Sequence, residues 1–372
     1  MASSAAAPVN ARYVLRGLER RLFPLLHRVR KRSSIVDLFV EKSGRGVGGP
    51  FTVRGQLVRE LQTRGYTFTS SWYQPTRSAL VLNYADHQKL AQLRRVGTRI
   101  VLRLDGLYYE EWAGPGAEQR NDPIRVLYRE LADAVIFQSE FCRRQAQIFL
   151  GGEPTGSFQT IVNGADRSVF FPGTERGVES GEFQLLTAGN IRSPDMLLPL
   201  VEALRQLREE GERIRLQVVG PVGEERCRRA AEEAEGVELL GPRNLTEVAE
   251  LHRQAHAFVF SMMNPACPNA VVEAIASGLP VIGYRTGSMP ELCFFGEELL
   301  APTPDRFVHR IEDFDAGALA MCIRDCRANY ARYRERALRH CSVWDLQERV
   351  DQYEKMLFPE KMETVKAGGL SA

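Results

Sequence analysis

Asn264-Pro-Ala-Cys-Pro-Asn-Ala-Val-Val-Glu-Ala-Ile-Ala-Ser-Gly-Leu-Pro-Val-Ile-Gly283 decides the fold. It reads as the end of a buried strand, a proline-started helix carrying one acid, and a second buried strand. Pro268 suits the first turn of a helix, where its missing N–H is not needed, and Gly278-Leu-Pro280 stops that helix before the apolar run Val281-Ile282. Glu273 then lies in the first helical turns. The unit is βαβ, which implies a parallel sheet.

The same alternation recurs along the chain. Candidate strands in the first half are Val36-Asp-Leu-Phe-Val40, Ala79-Leu-Val-Leu82, Arg99-Ile-Val-Leu-Arg103, Ala134-Val-Ile-Phe137 and Gln159-Thr-Ile-Val162. A second series follows: Phe183-Gln-Leu-Leu-Thr187, Arg215-Leu-Gln-Val-Val219, Val237-Glu-Leu-Leu240, Ala257-Phe-Val-Phe260 and Pro280-Val-Ile282. Helical patterns separate most of them, so the expectation is α/β, with two doubly wound parallel sheets. The turn-rich stretch Phe171-Pro-Gly-Thr-Glu-Arg-Gly-Val-Glu-Ser-Gly181 is the expected linker. At 372 residues the chain is long enough for two cores.

Charge is nearly balanced, 49 basic against 47 acidic residues, and nothing demands nucleic acid as a partner. No apolar run reaches roughly 18 residues, and the N-terminus lacks a signal-peptide core, so the expected location is cytoplasmic. Seven scattered cysteines argue for reduced thiols; Cys322 and Cys326, one helical turn apart, read as packing rather than zinc ligands. Residues 11–32 stand apart. Eight basic residues there face one acid, Glu19, and Leu15, Leu18, Leu22, Leu25, Leu26 and Val29 recur at helical spacing, with Pro24 as a kink. Such a helix can lie on an anionic membrane surface, peripheral to the bilayer; the other reading is a charged helix packed on its own domain or a partner.

The opening stretch, continued through Thr286-Gly-Ser-Met-Pro-Glu291, closely resembles the donor-binding segment of family four glycosyltransferases, retaining enzymes of the GT-B fold. Ile161-Val-Asn-Gly-Ala-Asp166 with Phe170-Phe-Pro172 resembles that family's passage between domains, Phe137-Gln-Ser-Glu-Phe141 a corner of its first domain, and Ser342-Val-Trp344 its C-terminal tail. In order, these span roughly residues 35 to 358. The resemblance implies two Rossmann-like domains facing across a cleft. Residues 1–34 would be the basic segment, 35–172 the acceptor-side domain and 173–340 the nucleotide-sugar domain. A helix at 341–358 would cross back onto the first domain, with 359–372 a tail.

The resemblance also assigns residues. Glu273 matches an acid that binds ribose hydroxyls, and Asn269 stands at the helix start, where N–H groups can meet a phosphate. The glycine-rich loop Ser43-Gly-Arg-Gly-Val-Gly-Gly-Pro50 would border the donor phosphates, through Gly48 and Gly49; it matches neither a Walker loop nor the dinucleotide fingerprint. Asp105, at the carboxyl end of its strand, takes the place of a histidine near the reacting sugar, or is an N-cap or turn aspartate. In Leu186-Thr-Ala-Gly-Asn-Ile-Arg-Ser-Pro-Asp-Met196, Gly189 keeps its place, but Asn190 and Asp195 stand where the family has an arginine and a lysine that clamp the diphosphate. Pro265 stands where a first acid would touch the donor sugar. Arg192 is the nearest replacement cation.

The function these readings imply is metal-independent transfer of a hexose from a nucleotide-diphosphate sugar to a glycan, lipid-linked or small-molecule acceptor, with retention. No cofactor is expected, the nucleotide sugar being a co-substrate. Asp313-Phe-Asp315 imitates a paired-aspartate metal motif but reads as a solvated helix start. The alternative is a catalytically silent GT-B protein that binds sugar or nucleotide as a partner subunit.

Overall fold

The computed structural model describes residues 35–39, 49–69, 76–174 and 181–359. Residues 11–32 and the linker core at 175–180 lie outside them.

The first sheet comprises β1 (Ile35–Phe39), β2 (Thr67–Thr69), β3 (Ser78–Leu82), β4 (Arg99–Leu104), β5 (Ala134–Phe137) and β6 (Ser157–Thr160), in spatial order β2-β1-β3-β4-β5-β6. Every pairing is parallel. β3 and β5 are buried along their whole length, as their continuous apolar runs require when helices cover both faces. The crossover helices include α1 (Gly49–Thr63), α2 (His87–Arg95) and α3 (Glu140–Phe149). Asp86 caps α2 by accepting from Gln88 N and Lys89 N, and Ser139 caps α3 by accepting from Cys142 N.

The second sheet comprises β7 (Phe183–Ala188), β8 (Ile214–Val219), β9 (Val237–Gly241), β10 (Ala257–Phe260), β11 (Val281–Tyr284) and β12 (Leu300–Ala301), ordered β12-β11-β10-β7-β8-β9 and again all parallel. Its helices include α4 (Leu198–Glu209), α5 (Glu225–Glu233), α6 (Leu245–Gln254), α7 (Asn269–Ala276), α8 (Ala316–Ala328) and α9 (Tyr330–His340). α6 opens with a capping box between Asn244 and Glu247. α7 follows Pro268 and ends at Ser277-Gly278, where Leu279 N donates back to Ala274 O at 3.0 Å.

The expected strand series is present as two sheets. β6 lies two residues earlier than expected, because the apolar pair Ile161-Val162 is buried beyond the strand, where the chain leaves for the second domain. The short edge strands β2 and β12 carry too few residues to show alternation.

The last helix, α10 (Leu346–Leu357), packs on the first domain rather than the second. Leu346, Val350, Tyr353, Met356 and Leu357, one stripe at three- and four-residue spacing, join Leu57, Leu61, Leu80 and Val101 in one core. The two chain crossings between domains touch each other. Ala165 and Asp345 form a parallel bridge, with Ala165 N donating to Trp344 O at 2.9 Å and Leu346 N to Ala165 O at 3.1 Å.

Candidate functional site

In the second sheet the chain begins at β7, runs outward through β8 and β9, then crosses back to β10 on the other side of β7. Such a reversal leaves a crevice at the carboxyl ends of the strands, which is where open parallel sheets bind ligands. The turns after β7, β10 and β11 leave that edge.

The turn after β7 starts where two backbones meet. A Cβ on Gly220, which has φ 118°, would lie 2.0 Å from Gly189 O, so only glycine lets the ends of β7 and β8 approach this closely. Asn190 beside it is half-buried, and Arg192 is exposed. Among the described residues the Arg192 guanidinium has no hydrogen bond or ion pair, only its backbone N–H meeting Met196 Sδ at 3.5 Å. Asp195 is not at the surface. It is 2% exposed, its Oδ2 accepts from Met263 N at 2.8 Å, and its carbonyl accepts from Ser261 Oγ at 2.7 Å. Where the resemblance would have a clamping lysine, this chain has an acid that ties the turn after β7 to the turn after β10.

The turn after β10 includes Asn264, a buried non-glycine residue at φ 44°. Its side chain holds that conformation. Nδ2 donates to Tyr109 Oη at 2.9 Å and to His309 O at 3.0 Å, while Oδ1 accepts from His309 N at 2.9 Å. Pro265, in place of the first acid, accepts from Ser288 N at 2.9 Å and is pressed by Gly287, whose φ is 55° and whose added Cβ would meet Pro265 N at 2.5 Å. Ala266 O accepts from Ser139 Oγ at 2.6 Å, and a Cβ on Gly106 would lie 3.7 Å from the Ala266 methyl. The segment between β10 and α7 therefore rests against the first domain, at the carboxyl ends of β4 and β5. The carboxyl edges of the two sheets face each other.

Asp105 lies in that contact. Its Oδ1 accepts from both Arg103 and Gln138 Nε2, while Oδ2 receives nothing among the described residues. Burial pushes its carboxyl above the usual range and the Arg103 charge pulls it back, with burial the larger effect. Arg103 is 1% exposed and fully engaged: Nε donates to Tyr353 Oη at 2.8 Å and Nη2 to Asn163 Oδ1 at 2.7 Å. Asn163 Nδ2 continues to Cys267 O at 2.9 Å and Asn269 Oδ1 at 2.7 Å. A buried charge needs such complete pairing, and this cluster joins β4, the passage between domains, the start of α7 and α10.

Glu273 lies on the helix that starts at Asn269. It is half-buried, and no side chain or amide among the described residues pairs with its carboxylate. Burial alone raises its pKa to about 7. Glu291, after β11, crosses to the first domain and accepts from Glu140 N at 2.8 Å and Phe141 N at 3.1 Å, the free amides at the start of α3. Burial raises its carboxyl, and those two amides partly oppose the rise.

The sequence-predicted residues thus fall in different places. Gly189, Asn190 and Arg192 share one turn at the switch point, Asn269 and Glu273 share one helix beside it, and Asp105 faces them from the other domain. Gly49 begins α1, while Gly48 lies outside the described residues. Asp315 caps α8 by accepting from Gly317 N at 2.8 Å. Asp313 is not solvated as expected: its side chain is 7% exposed, because Oδ2 accepts from Arg310 N at 2.8 Å and Oδ1 pairs with Arg306 at 3.2 Å. Among the described residues no group of three His, Cys, Asp or Glu side chains is set to hold a metal, and no helix is long and apolar enough to cross a membrane. All seven cysteines are unpaired thiols, with Cys326 buried and Cys322 half-buried against α8's neighbours.

Sequence reading passed over Asn163, Gln138, Tyr353, Asn264 and the contact of Glu291. One signal was available: Arg103 stands inside the apolar run 100–104, the fully buried part of its strand, where a charge must find a partner.

Comparison with known proteins agrees with this fold. The family described as "Glycosyl transferases group 1" matches residues 182–314. A curated relative, D-inositol 3-phosphate glycosyltransferase of Pseudarthrobacter chlorophenolicus, is 30% identical over 148 residues, 36% of this chain and 35% of the relative. The match thus spans about a third of that protein's length. Sucrose-phosphate synthase from Thermosynechococcus elongatus has the same fold, with TM-score 0.68 at 16% identity over 91% of this chain and all of that one. Anabaena Alr3699/HepE, solved in complex with UDP-glucose, gives 0.64 at 15% identity over 87% of this chain and 98% of that one.

Proposed function

From a chain whose second domain is of the group 1 glycosyltransferase family and whose two domains form the GT-B fold, we infer a transferase that moves a hexose from a nucleotide-diphosphate sugar to an acceptor with retained configuration. The observation that carries this reading is Glu273, an unpaired, half-buried carboxylate on α7 beside the switch point, within the matched residues 182–314. HepE binds UDP-glucose on the same fold, which supports a nucleotide-sugar donor here.

In this reading the nucleotide lies along the carboxyl edge of the second sheet. Glu273 accepts from ribose hydroxyls, and the amides at the start of α7 meet a phosphate. Arg192, exposed and unengaged, swings onto the diphosphate in place of the absent arginine and lysine, stabilising it as it departs. Asp105 Oδ2 accepts from a sugar hydroxyl across the cleft, while Arg103 and Gln138 hold the carboxylate in one orientation. Catalysis is then positional and electrostatic, with no metal in the transfer step. The acceptor is a glycan, a lipid-linked sugar or a small molecule, and residues 11–32 bring the enzyme to an anionic membrane.

The test is a hydrolysis and transfer screen of the full chain with UDP-, GDP- and ADP-sugars, alongside calorimetry with the free nucleotides. Turnover with one of them supports the reading. Nucleotide binding without turnover under any condition replaces it with a silent binding subunit, and absence of both rejects it.

A further inference from the structure

The turn that leaves β4 carries a stacked aromatic pair, Trp112 exposed and Tyr108 half-buried, for which the donor site has no use. Glu110–Ala113 is a single helical turn. Within it Trp112 is 47% exposed, and the Tyr108 ring stacks against it with centroids 5.7 Å apart and planes 19° from parallel. That exposure fits an indole with one face covered and the other in water. The indole N–H donates to nothing among the described residues. The pair does not hang loosely: Tyr108 N donates to Asn121 Oδ1 at 3.0 Å, and Asn121 Nδ2 donates back to Tyr108 O at 2.8 Å, with Asn121 fully buried. The Arg120 guanidinium packs 5.6 Å from the Tyr108 centroid.

The position of the pair is fixed from both sides. Tyr109 accepts from Asn264 of the second domain, and Glu111 pairs with Arg310 of the same domain at 3.7 Å. Trp112, next to Glu111, is therefore on the rim of the cleft, on its first-domain side. Glu110 and Glu111 are exposed on the same turn.

We propose that Trp112, backed by Tyr108, is a platform for an uncharged sugar ring of the acceptor, with Glu110 and Glu111 accepting hydrogen bonds from its hydroxyls. A pyranose offers an apolar C–H face that packs on an aromatic ring, and a rim of O–H donors that need acceptors. Glu110 and Glu111 are offset by Arg120 and Arg310 beside the pair, so the platform suits an uncharged ring better than the donor's diphosphate. The word acceptor rests on the transferase reading above; within it, the platform selects a glycan or glycosylated acceptor over a sugar-free one.

The test uses the full chain on a printed array of neutral glycans, with calorimetry against UDP, GDP and ADP in parallel. Wild type binds at least one glycan, Trp112→Ala weakens that binding roughly tenfold or more, and Trp112→Phe largely restores it. Nucleotide affinity and melting temperature stay unchanged in both variants. Glycan binding without nucleotide binding keeps the platform and removes the transferase reading. Array binding that Trp112→Ala leaves intact, or no glycan bound by wild type, overturns the platform. So does a loss of nucleotide affinity in Trp112→Ala, which would make it a base-stacking shelf. A change of oligomeric state in sedimentation would make it a protein interface and equally reject it.

Discussion

Glu273 gives the most direct test of the nucleotide site, because its pKa of about 7 makes its charge depend on pH where the protein can be assayed. Ribose hydroxyls donate hydrogen bonds, and the ionised carboxylate accepts them far better than the neutral acid. With that pKa, about a tenth of the groups are ionised at pH 6 and about nine tenths at pH 8. Apparent affinity scales with the competent fraction, so nucleotide dissociation constants should fall about tenfold between those values, about 1.4 kcal/mol. Glu273→Gln should remove this slope and leave only the titration of the nucleotide's own terminal phosphate. Glu273→Ala should cost about 1.5–3 kcal/mol of binding at pH 8, the range for hydrogen bonds to a charged group. Calorimetry of wild type and both variants across pH 6–8 measures all three. Equal slopes in wild type and Glu273→Gln would refute the ribose role. The same group sets a second, ligand-free expectation. Its folded pKa is raised, so between about pH 4 and pH 7 the unfolded chain releases a proton that the folded chain keeps, and stability falls as pH rises. Glu273→Gln should therefore be stabilising by roughly 1–3 kcal/mol above pH 7 and nearly neutral at pH 4.

If Arg192 neutralises the departing diphosphate, Arg192→Ala should lower turnover roughly 10²–10³-fold with the melting temperature unchanged; turnover equal to wild type would move the phosphate site to the start of α7. Gly287→Ala should destabilise the fold by about 2 kcal/mol or more, since its Cβ would strike the Pro265 backbone at φ 55°. Gly55→Ala in α1, with open space around the new methyl, should instead add about 0.5–1 kcal/mol, and equal melting shifts for the two would defeat the reasoning. Deleting residues 11–32 should abolish co-sedimentation with anionic liposomes, and high salt should weaken it in the intact chain; indifference to both treatments makes that segment structural.

The sequence by itself determined the two-sheet architecture. Ten apolar runs separated by amphipathic stretches leave no other way to bury them than parallel strands under helices, and Pro268 and Gly278 bracket α7 without help from the rest of the chain. Its resemblance to the glycosyltransferase family singled out Glu273, the one acid in the helix after Pro268. What only the tertiary structure decided is how the polar groups are spent. Asp195, legible as a residue out of place, proves to be a buried tie to Met263, and Asp105 is half-consumed by Arg103 and Gln138. Arg103 finds its hydroxyl partner in Tyr353, 250 positions away, and the start of α3 finds its carboxylate in Glu291 of the other domain. Apolar periodicity is a local property, written at spacings of two to four residues, so it can be read along the chain. The pairing of a buried charge is decided by whichever group the packed domains bring within about 3 Å, and no local pattern encodes that distance.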